Sequence, residues 1–366
     1  MSRKLDRIII ATGGTGGHIF PAYSLAKHFI DKKVKVNLIT DKRGMKYLKN
    51  YYDLNITQII SSTISKKNIL NLLYSIFVIF YSVIRSFIFL LFNRANLVFG
   101  MGGYSSFPTC IAAKILGIPF VIYENNLCIG KANKFLLTFA EKVLVSNRKL
   151  EGVPNKYKNK LCEIGNIIRK EILNFQVKHH KEDGNRKLKI LILGGSQAAK
   201  VFAEELPKIF RDCANANMPL KIYQQCLPSQ NKSLSSFYKN MNIDFEIFNF
   251  TNNITEYFSK TNLAITRSGS SMLAELINVK IPFISIPLPT SADNHQLKNA
   301  IYYEKNQYSY LVEEKDLKIK LFKLLKSIHE DRTQLNQIIA NQKKYSDKSV
   351  YENIDKEIIK IINEKN

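Results

Sequence analysis

Residues 7–30 read RIIIATGGTGGHIFPAYSLAKHFI. Arg7–Ala11 is a short apolar run and predicts a buried strand. Thr12–His18 predicts a glycine loop. Pro21–Ile30 predicts a helix, with Pro21 in its first turn, where a missing N–H is harmless. Val34–Thr40 predicts the next strand, so the chain opens as a parallel βαβ unit. Gly13, Gly14, Gly16 and Gly17 let the backbone come close to a ligand. The N–H groups and dipole of the helix start favour a phosphate there. The spacing is not GxGxxG with an acidic residue about 20 positions on, which disfavours a nicotinamide cofactor.

Working outward, the same device recurs. Leu97–Gly100 predicts a strand, Met101–Tyr104 a second glycine loop, Pro108–Leu116 a helix and Pro119–Tyr123 a strand. After the polar stretch His179–Lys187 the pattern restarts. Lys189–Gly194 predicts a strand, Gly195–Ala199 a third small-residue loop leading into a helix, Leu263–Thr266 a strand, Ser270–Asn278 a helix and Pro282–Pro287 a strand. The polar tail from Thr333 predicts terminal helices. The expectation is an α/β protein of two doubly wound parallel-sheet domains, with three loops at C-terminal strand ends converging on one cleft. Such a cleft suits two phosphorylated substrates, or one diphosphate held from both sides.

The length of 366 residues suits two domains, at about 150 residues each. Lys and Arg outnumber Asp and Glu by 54 to 30, a net charge of +24 that attracts anionic partners such as nucleic acid, acidic lipid or a phosphorylated substrate, although a Lys-rich genome gives the same count. The five cysteines are odd in number and form no CxxC, which argues against a disulfide framework or a cysteine zinc site and fits a reducing compartment. The apolar run before the first glycines is too short for a signal-peptide core. There is no GxxxxGK[ST], HExxH or GxSxG, so P-loop NTPases, zincins and serine hydrolases are disfavoured. No Asp-x-Asp offers a clamp for a nucleotide-bound metal.

Ile69–Phe92 is apolar almost throughout, with one charge, Arg85. As a helix it is about 36 Å long, enough to span a bilayer. Arg85 at a bilayer centre would cost about 2.5–3.5 kcal/mol or more. Asn71, Ser75, Ser82 and Ser86 form a narrow polar stripe, and the segment lies where a βαβ crossover helix is required. The expectation is a crossover helix with an exposed apolar face that docks on an anionic membrane surface, flanked by Lys66, Lys67, Arg85 and Arg94.

The ordered motifs GGTGGHIFPA (13–22), FGMGGYSSFPTCIAAKILGIPFVIYENN (99–126), GNIIR (165–169), LGGSQ (193–197), RSGSSMLAEL (267–276) and HQLKNA (295–300) resemble the MurG family over roughly residues 7–305. The resemblance implies a GT-B architecture with two Rossmann-like domains. It implies an inverting transfer of N-acetylglucosamine from UDP-GlcNAc to lipid I, giving lipid II for peptidoglycan, with no cofactor and no essential metal. The implied place is the cytoplasmic face of the bacterial cell membrane, as a peripheral protein, with other cell-wall synthesis proteins as further partners and no nucleic acid. The domains expected are 1–165 for acceptor and membrane, 166–345 for UDP-GlcNAc, and a terminal helix at 346–366 packing back on the first. The alternatives are another GT-B glycolipid glycosyltransferase or a UDP-sugar epimerase. A basic membrane- or nucleic-acid-binding protein would leave the glycine loops unexplained, and no RRM, KH or helix-turn-helix signature is present.

By the same resemblance, His18 is a candidate general base for the muramoyl 4-hydroxyl or a contact to the acceptor diphosphate. Gly13, Gly14, Gly102 and Gly103 would hold that diphosphate, and Tyr104 is an acceptor-site residue placed with the catalytic group. Glu124 would orient the sugar or serve as the base instead. Thr15, Gly16, Gly17 and Asn126 would contact the donor, Arg169 its phosphates, Ser196 its phosphate or uridine, and Ile254 its uracil. Ser270, Ser271, Met272, Leu273 and Ala274 start a helix whose dipole faces the diphosphate. Glu275 would accept from the ribose hydroxyls, and Gln296, next to His295, would contact the sugar. The family usually has His where this chain has Tyr123, Gln where it has Asn125 and Gly where it has Ala198.

Overall fold

The computed structural model describes residues 5–14, 16–49, 53–61, 68–176, 187–249, 251 and 253–364, with residues 195–199 described by backbone alone. The chain divides into two compact units, Met1–Lys170 with Asp347–Asn366, and Glu171–Ser346. Each is built on a parallel sheet, so the expected α/β class and the two doubly wound domains are what the structure has.

The first unit contains β1 (Arg7–Ala11), α1 (Gly16–Asp31), β2 (Lys35–Thr40), α2 (Lys42–Leu48), β3 (Asn55–Gln58), α3 (Ile69–Asn93), β4 (Leu97–Gly100), α4 (Ser106–Ile115), β5 (Phe120–Glu124), α5 (Lys131–Leu136), β6 (Lys142–Val145) and β7 (Leu161–Glu163). Its sheet has the order β3-β2-β1-β4-β5-β6-β7. The order reverses between β1 and β4, which end together with Ala11 beside Gly100. That topological switch point is where ligands bind in open α/β sheets, outside the carboxyl ends of the strands. The central strands β1 and β4 are buried apolar runs because helices cover both faces of a parallel sheet, whereas the edge strand β3 is polar and partly exposed.

The helix expected from Pro21 begins at Gly16 instead, which leaves Pro21 inside it. The glycines therefore form the first turn of the helix as well as the loop. Proline lacks the N–H that would serve the carbonyl of Gly17, and Asn125 Nδ2 donates to that oxygen at 3.2 Å.

In α3 the serines of the polar stripe form the buried side, while Asn71 in the first turn is exposed. Ser75, Ser82 and Ser86 are buried; Ser82 Oγ donates to Ile60 O at 2.6 Å, and Ser86 Oγ pairs with Thr109 Oγ1 of α4 at 3.3 Å. Small side chains let α3 pack closely on α4. The opposite stripe, Leu73, Phe77, Phe80, Ile84, Ile88 and Leu91, repeats at helical spacing and faces outward, with Phe77 67% and Phe80 63% exposed. Among the described residues α3 is the one helix long and apolar enough to cross a membrane.

The second unit contains β8 (Leu188–Leu193), α7 (Gly195–Asn215), β9 (Leu220–Gln225), α8 (Asn231–Asn240), β10 (Asp244–Phe248), α9 (Ile254–Lys260), β11 (Leu263–Thr266), α10 (Ser270–Val279), β12 (Phe283–Ser285), α11 (His295–Lys305), β13 (Tyr310–Leu311), α12 (Phe322–Glu330) and α13 (Thr333–Gln342), after the short α6 (Lys170–Asn174) that straddles the division. Its order is β10-β9-β8-β11-β12-β13. Here the reversal falls between β8 and β11, with Leu193 beside Thr266. Phe202 and Phe210 of α7 and Tyr238 of α8 are fully buried against this sheet, each worth about 1.5–3 kcal/mol of apolar burial.

The last helix, α14 (Val350–Glu364), belongs to the first unit. His28 of α1 hydrogen-bonds Asp355 at 2.9 Å and stacks on Tyr351 with ring centroids 4.6 Å apart. Tyr351 OH donates to Ile168 O at 2.7 Å, and Asn166 N donates to Asp347 Oδ1 at 2.8 Å. The helix is thus clamped to α1 and to the segment after β7.

Candidate active site

At the switch point of the first sheet the two glycine loops pack on one another. Gly14, Gly102 and Gly103 have φ of +88°, +86° and +76°, a region that L side chains avoid. A Cβ on Gly103 would lie 2.8 Å from the carbonyl oxygen of Gly13, and one on Gly102 would lie 3.0 Å from Cε1 and 3.1 Å from Nδ1 of His18. The imidazole of His18 therefore lies against the second loop, and the glycines of that loop make room for it. Tyr104 follows, half-buried. Thr15 lies outside the described residues.

Behind the loops sits Asp41, at the end of β2 and buried. Its Oδ1 accepts from Gly44 N at 2.8 Å and Gly14 N at 3.3 Å. Its Oδ2 accepts from Ser61 Oγ at 2.8 Å and from Arg43 Nε and NH2 at 3.0 and 2.8 Å. Burial alone would raise its pKa, but the Gly44 N–H, the Ser61 and Ser105 hydroxyls and the Arg43 guanidinium together hold the carboxyl well below the usual range. Ser105, just past the second loop, donates to Ser61 Oγ at 3.2 Å. Asp41 thus ties both glycine loops together.

The end of β5 supplies the third wall. Glu124 is buried and accepts four hydrogen bonds: Asn126 N and Nδ2 at Oε1, both at 3.1 Å, and Gly130 N and Asn133 Nδ2 at Oε2, at 2.9 and 3.0 Å. A carboxylate so occupied orients the 124–133 turn and is poorly placed to take a proton from a substrate. Asn133 reaches the second loop as well, since a Cβ on Gly102 would lie 3.6 Å from its Nδ2. Tyr123 points away from solvent. Its hydroxyl accepts from Ile167 N at 2.9 Å, and burial pushes its pKa up. Arg169 is half-buried and lies in the first unit, one residue past the Ile168 carbonyl that Tyr351 holds.

At the switch point of the second sheet, Thr266 Oγ1 donates to Leu193 O at 3.1 Å, which fixes the end of β11 to the end of β8. Ser196 lies in the first turn of α7, and its side chain is outside the described residues. Helix α10 starts at Ser270 after Gly269. The N–H groups of Met272 and Leu273 fold back on the Gly269 carbonyl, both at 3.1 Å. Leu273 and Ala274 are fully buried, so their side chains belong to the core; Ser271 and Met272 are partly exposed. Glu275 is buried on the same helix and Ile254 at the start of α9. Gln296 Oε1 accepts from Leu288 N at 3.0 Å.

Each unit thus gathers its own set: His18, Gly13, Gly14, Gly102, Gly103 and Asn133 in one, and the α7 and α10 starts in the other. Sequence reading missed Asp41, Arg43 and Asn133. The signal for Asp41 was its place between a strand and a helix, followed three residues later by Gly44, an N-cap pattern.

Residues 8–145 match the glycosyltransferase family 28 N-terminal domain and residues 189–356 the family 28 C-terminal domain. The chain is 36% identical over 363 residues, 98% of its length and 99% of the relative's, to the UDP-N-acetylglucosamine–N-acetylmuramyl-(pentapeptide) pyrophosphoryl-undecaprenol N-acetylglucosamine transferase of Pelagibacter ubique. It is 33% identical over 97% of its length and 95% of the relative's to the protein of the same name from Rickettsia bellii. Among solved structures, MurG of Acinetobacter baumannii superposes with a TM-score of 0.76 at 22% identity, covering 98% of this chain and 99% of that one, a likeness of fold. The two parallel-sheet units, their small-residue loops and this kinship along the whole chain place the protein in glycosyltransferase family 28, where it belongs to the MurG-type N-acetylglucosaminyltransferases.

Proposed function

We propose that this protein transfers N-acetylglucosamine from UDP-GlcNAc to the 4-hydroxyl of N-acetylmuramate in undecaprenyl-pyrophosphoryl-MurNAc-pentapeptide, converting lipid I to lipid II with inversion at the anomeric carbon. The observation that carries this reading is the end-to-end kinship with transferases that bear that name.

The residues support a division of labour. On the second unit, the N–H groups at the α10 start and Ser196 receive the donor diphosphate, Glu275 the ribose and Gln296 the sugar hydroxyls. On the first unit, the two glycine loops receive the acceptor diphosphate, with Tyr104 beside them. His18 is the group chemically suited to take the acceptor proton as the hydroxyl attacks from the face opposite UDP. Glu124 is assigned to orienting Asn126 and the 124–133 turn. Charge developing on the leaving UDP meets fixed dipoles and Arg169. The outward face of α3, with exposed Arg85 on the helix and exposed Arg94 just past its end, docks on the cytoplasmic face of the membrane, where the lipid-linked acceptor resides.

The test is incubation of the purified protein with radiolabelled UDP-GlcNAc, a short-chain lipid I analogue and EDTA. A disaccharide lipid is the expected product. Donor protection against thermal unfolding without transfer would move the acceptor to another glycolipid, and neither signal would sink the reading.

A further inference from the structure

We propose that Arg43 binds the diphosphate of the lipid-linked acceptor beside Gly14, and that Asp41 is the positioning residue that holds it there. The inference rests on the reading of the first glycine loop as the acceptor-diphosphate site. An arginine paired with a neighbouring aspartate at a surface is ordinarily worth little, because both side chains must be ordered in water. Here the aspartate is already ordered. Asp41 is buried and fixed by Gly44 N, Gly14 N and the Ser61 hydroxyl, so it presents Oδ2 at one point only. Arg43 docks on that oxygen through Nε and one terminal nitrogen.

The two residues then face different ways. Asp41 has its oxygens committed inside the protein. The Arg43 side chain is 54% exposed, and among the described residues its other terminal nitrogen has no hydrogen-bond partner. Its NH2 lies 3.9 Å from where a Cβ on Gly14 would stand, on a loop that carries no side chain at that point. A guanidinium held along its Nε–NH2 edge, with that NH2 beside the glycine loop and its other terminal nitrogen unpaired among the described residues, has the planar donor geometry that suits phosphate oxygens. The cation also offsets the buried negative charge of Asp41, which would otherwise repel an anion entering the loop. Both diphosphates of the reaction have this chemistry. Its approach to Gly14, in the loop read as the acceptor-diphosphate site, assigns Arg43 to the acceptor's.

The experiment is steady-state transfer by the full chain in detergent, with acceptor varied at saturating UDP-GlcNAc and donor varied at saturating acceptor. Arg43→Ala should raise the acceptor KM about tenfold or more, the effect of one charge-assisted hydrogen bond. The donor KM should stay within about twofold, Arg43→Lys should recover part of the loss, and the thermal transition should move little because the side chain is half exposed. Asp41→Asn, with Arg43 intact, should raise the acceptor KM in the same direction. An acceptor KM within about twofold of wild type in Arg43→Ala overturns the assignment, as does a rise in the donor KM instead. A wild-type protein that transfers nothing to the lipid I analogue overturns the acceptor reading itself, a different failure from an Arg43 variant that transfers normally.

Discussion

Asn125 Nδ2 donates to the carbonyl oxygen of Gly17 at 3.2 Å, the oxygen that Pro21 has no N–H to serve. One side-chain amide thereby joins the end of β5 to the first turn of α1, the turn that carries His18. Ser146 Oγ donates to the Asn125 carbonyl at 3.1 Å and keeps the residue in place. Asn125→Ala should cost about 1 kcal/mol of stability, read as a shift of about 2–4 °C in the thermal transition. Turnover should fall by more than that stability loss accounts for, because the His18 turn loses its tie to β5. A variant with an unchanged transition and unchanged kcat would show that the bond does nothing for the site.

Glu124 separates the orienting role from the base role in a single substitution. Its two oxygens each accept two hydrogen bonds. Glu124→Gln replaces one acceptor oxygen with an amide nitrogen, so two donors face a donor inside the protein. The expected loss is about 2–3 kcal/mol of stability, the penalty of buried groups left unpaired, together with weaker transfer at every pH. A base would behave differently: the variant would keep its stability and lose the acid limb of the kcat profile.

Two glycines with similar backbone angles isolate the packing of His18. Gly102 has φ +86° and Gly117 has φ +70°, so alanine at either position meets about 1–2 kcal/mol of left-handed strain. A Cβ at Gly117 has nothing within 4 Å, whereas one at Gly102 meets the His18 ring at 3.0 Å. Both variants should unfold at a lower temperature. Only Gly102→Ala should also lose turnover, by about 100-fold if His18 is the base. Equal turnover in the two proteins would separate His18 from the chemistry.

The comparison of sequence with structure divides along range. The strands, the two sheets and the placing of the first two glycine loops were legible because they follow from short apolar runs and glycine clusters close together in the chain. The switch points fall after β1 and β4, where two of those loops were expected, and after β8 and β11, where the expected third loop, Gly195–Ala199, is instead the first turn of α7, since small residues after a strand can open a helix directly. The start of α1 was misjudged by five residues, because glycine and proline are poor helix formers and the Asn125 contact that compensates lies 108 residues away. The serine stripe of α3 was visible, but its burial was not, since helical spacing shows that a face exists and not which way it points. Asp41 leaves only its N-cap pattern, because its Gly14 and Ser61 partners lie 27 and 20 residues away, and Asn133 reaches Glu124 and Tyr123 nine and ten residues back, a spacing that follows no helix or strand period.

Asp41 also sets an acid limit. Its pKa in the folded protein lies below the ordinary 3.8. A depressed carboxyl contributes stability that is complete above that value and is lost as pH falls below it toward the folded value. Thermal transitions of wild type and Asp41→Asn should therefore differ most at neutral pH and converge as the pH is lowered below about 4. A gap that stays constant down to pH about 3 would mean that the charge of Asp41 is not what stabilises the loops.

The outward stripe of α3 gives the last prediction. Phe77 and Phe80 are 67% and 63% exposed on the side away from Ser75, Ser82 and Ser86. Changing both to Glu removes no internal contact that the fold relies on, so the thermal transition should hold. In a membrane each phenylalanine would contribute about 1.5–3 kcal/mol by leaving water, and the introduced charges would repel acidic headgroups. The double variant should therefore sediment with anionic liposomes at least about tenfold less than wild type. Salt discriminates the forces at work: binding through the basic charge alone would vanish at about 1 M ionic strength, where screening acts within about 3 Å, whereas binding through the apolar stripe would persist. Wild-type binding that salt abolishes and the double variant retains would assign the membrane contact to the lysines and arginines and leave the stripe for a protein partner.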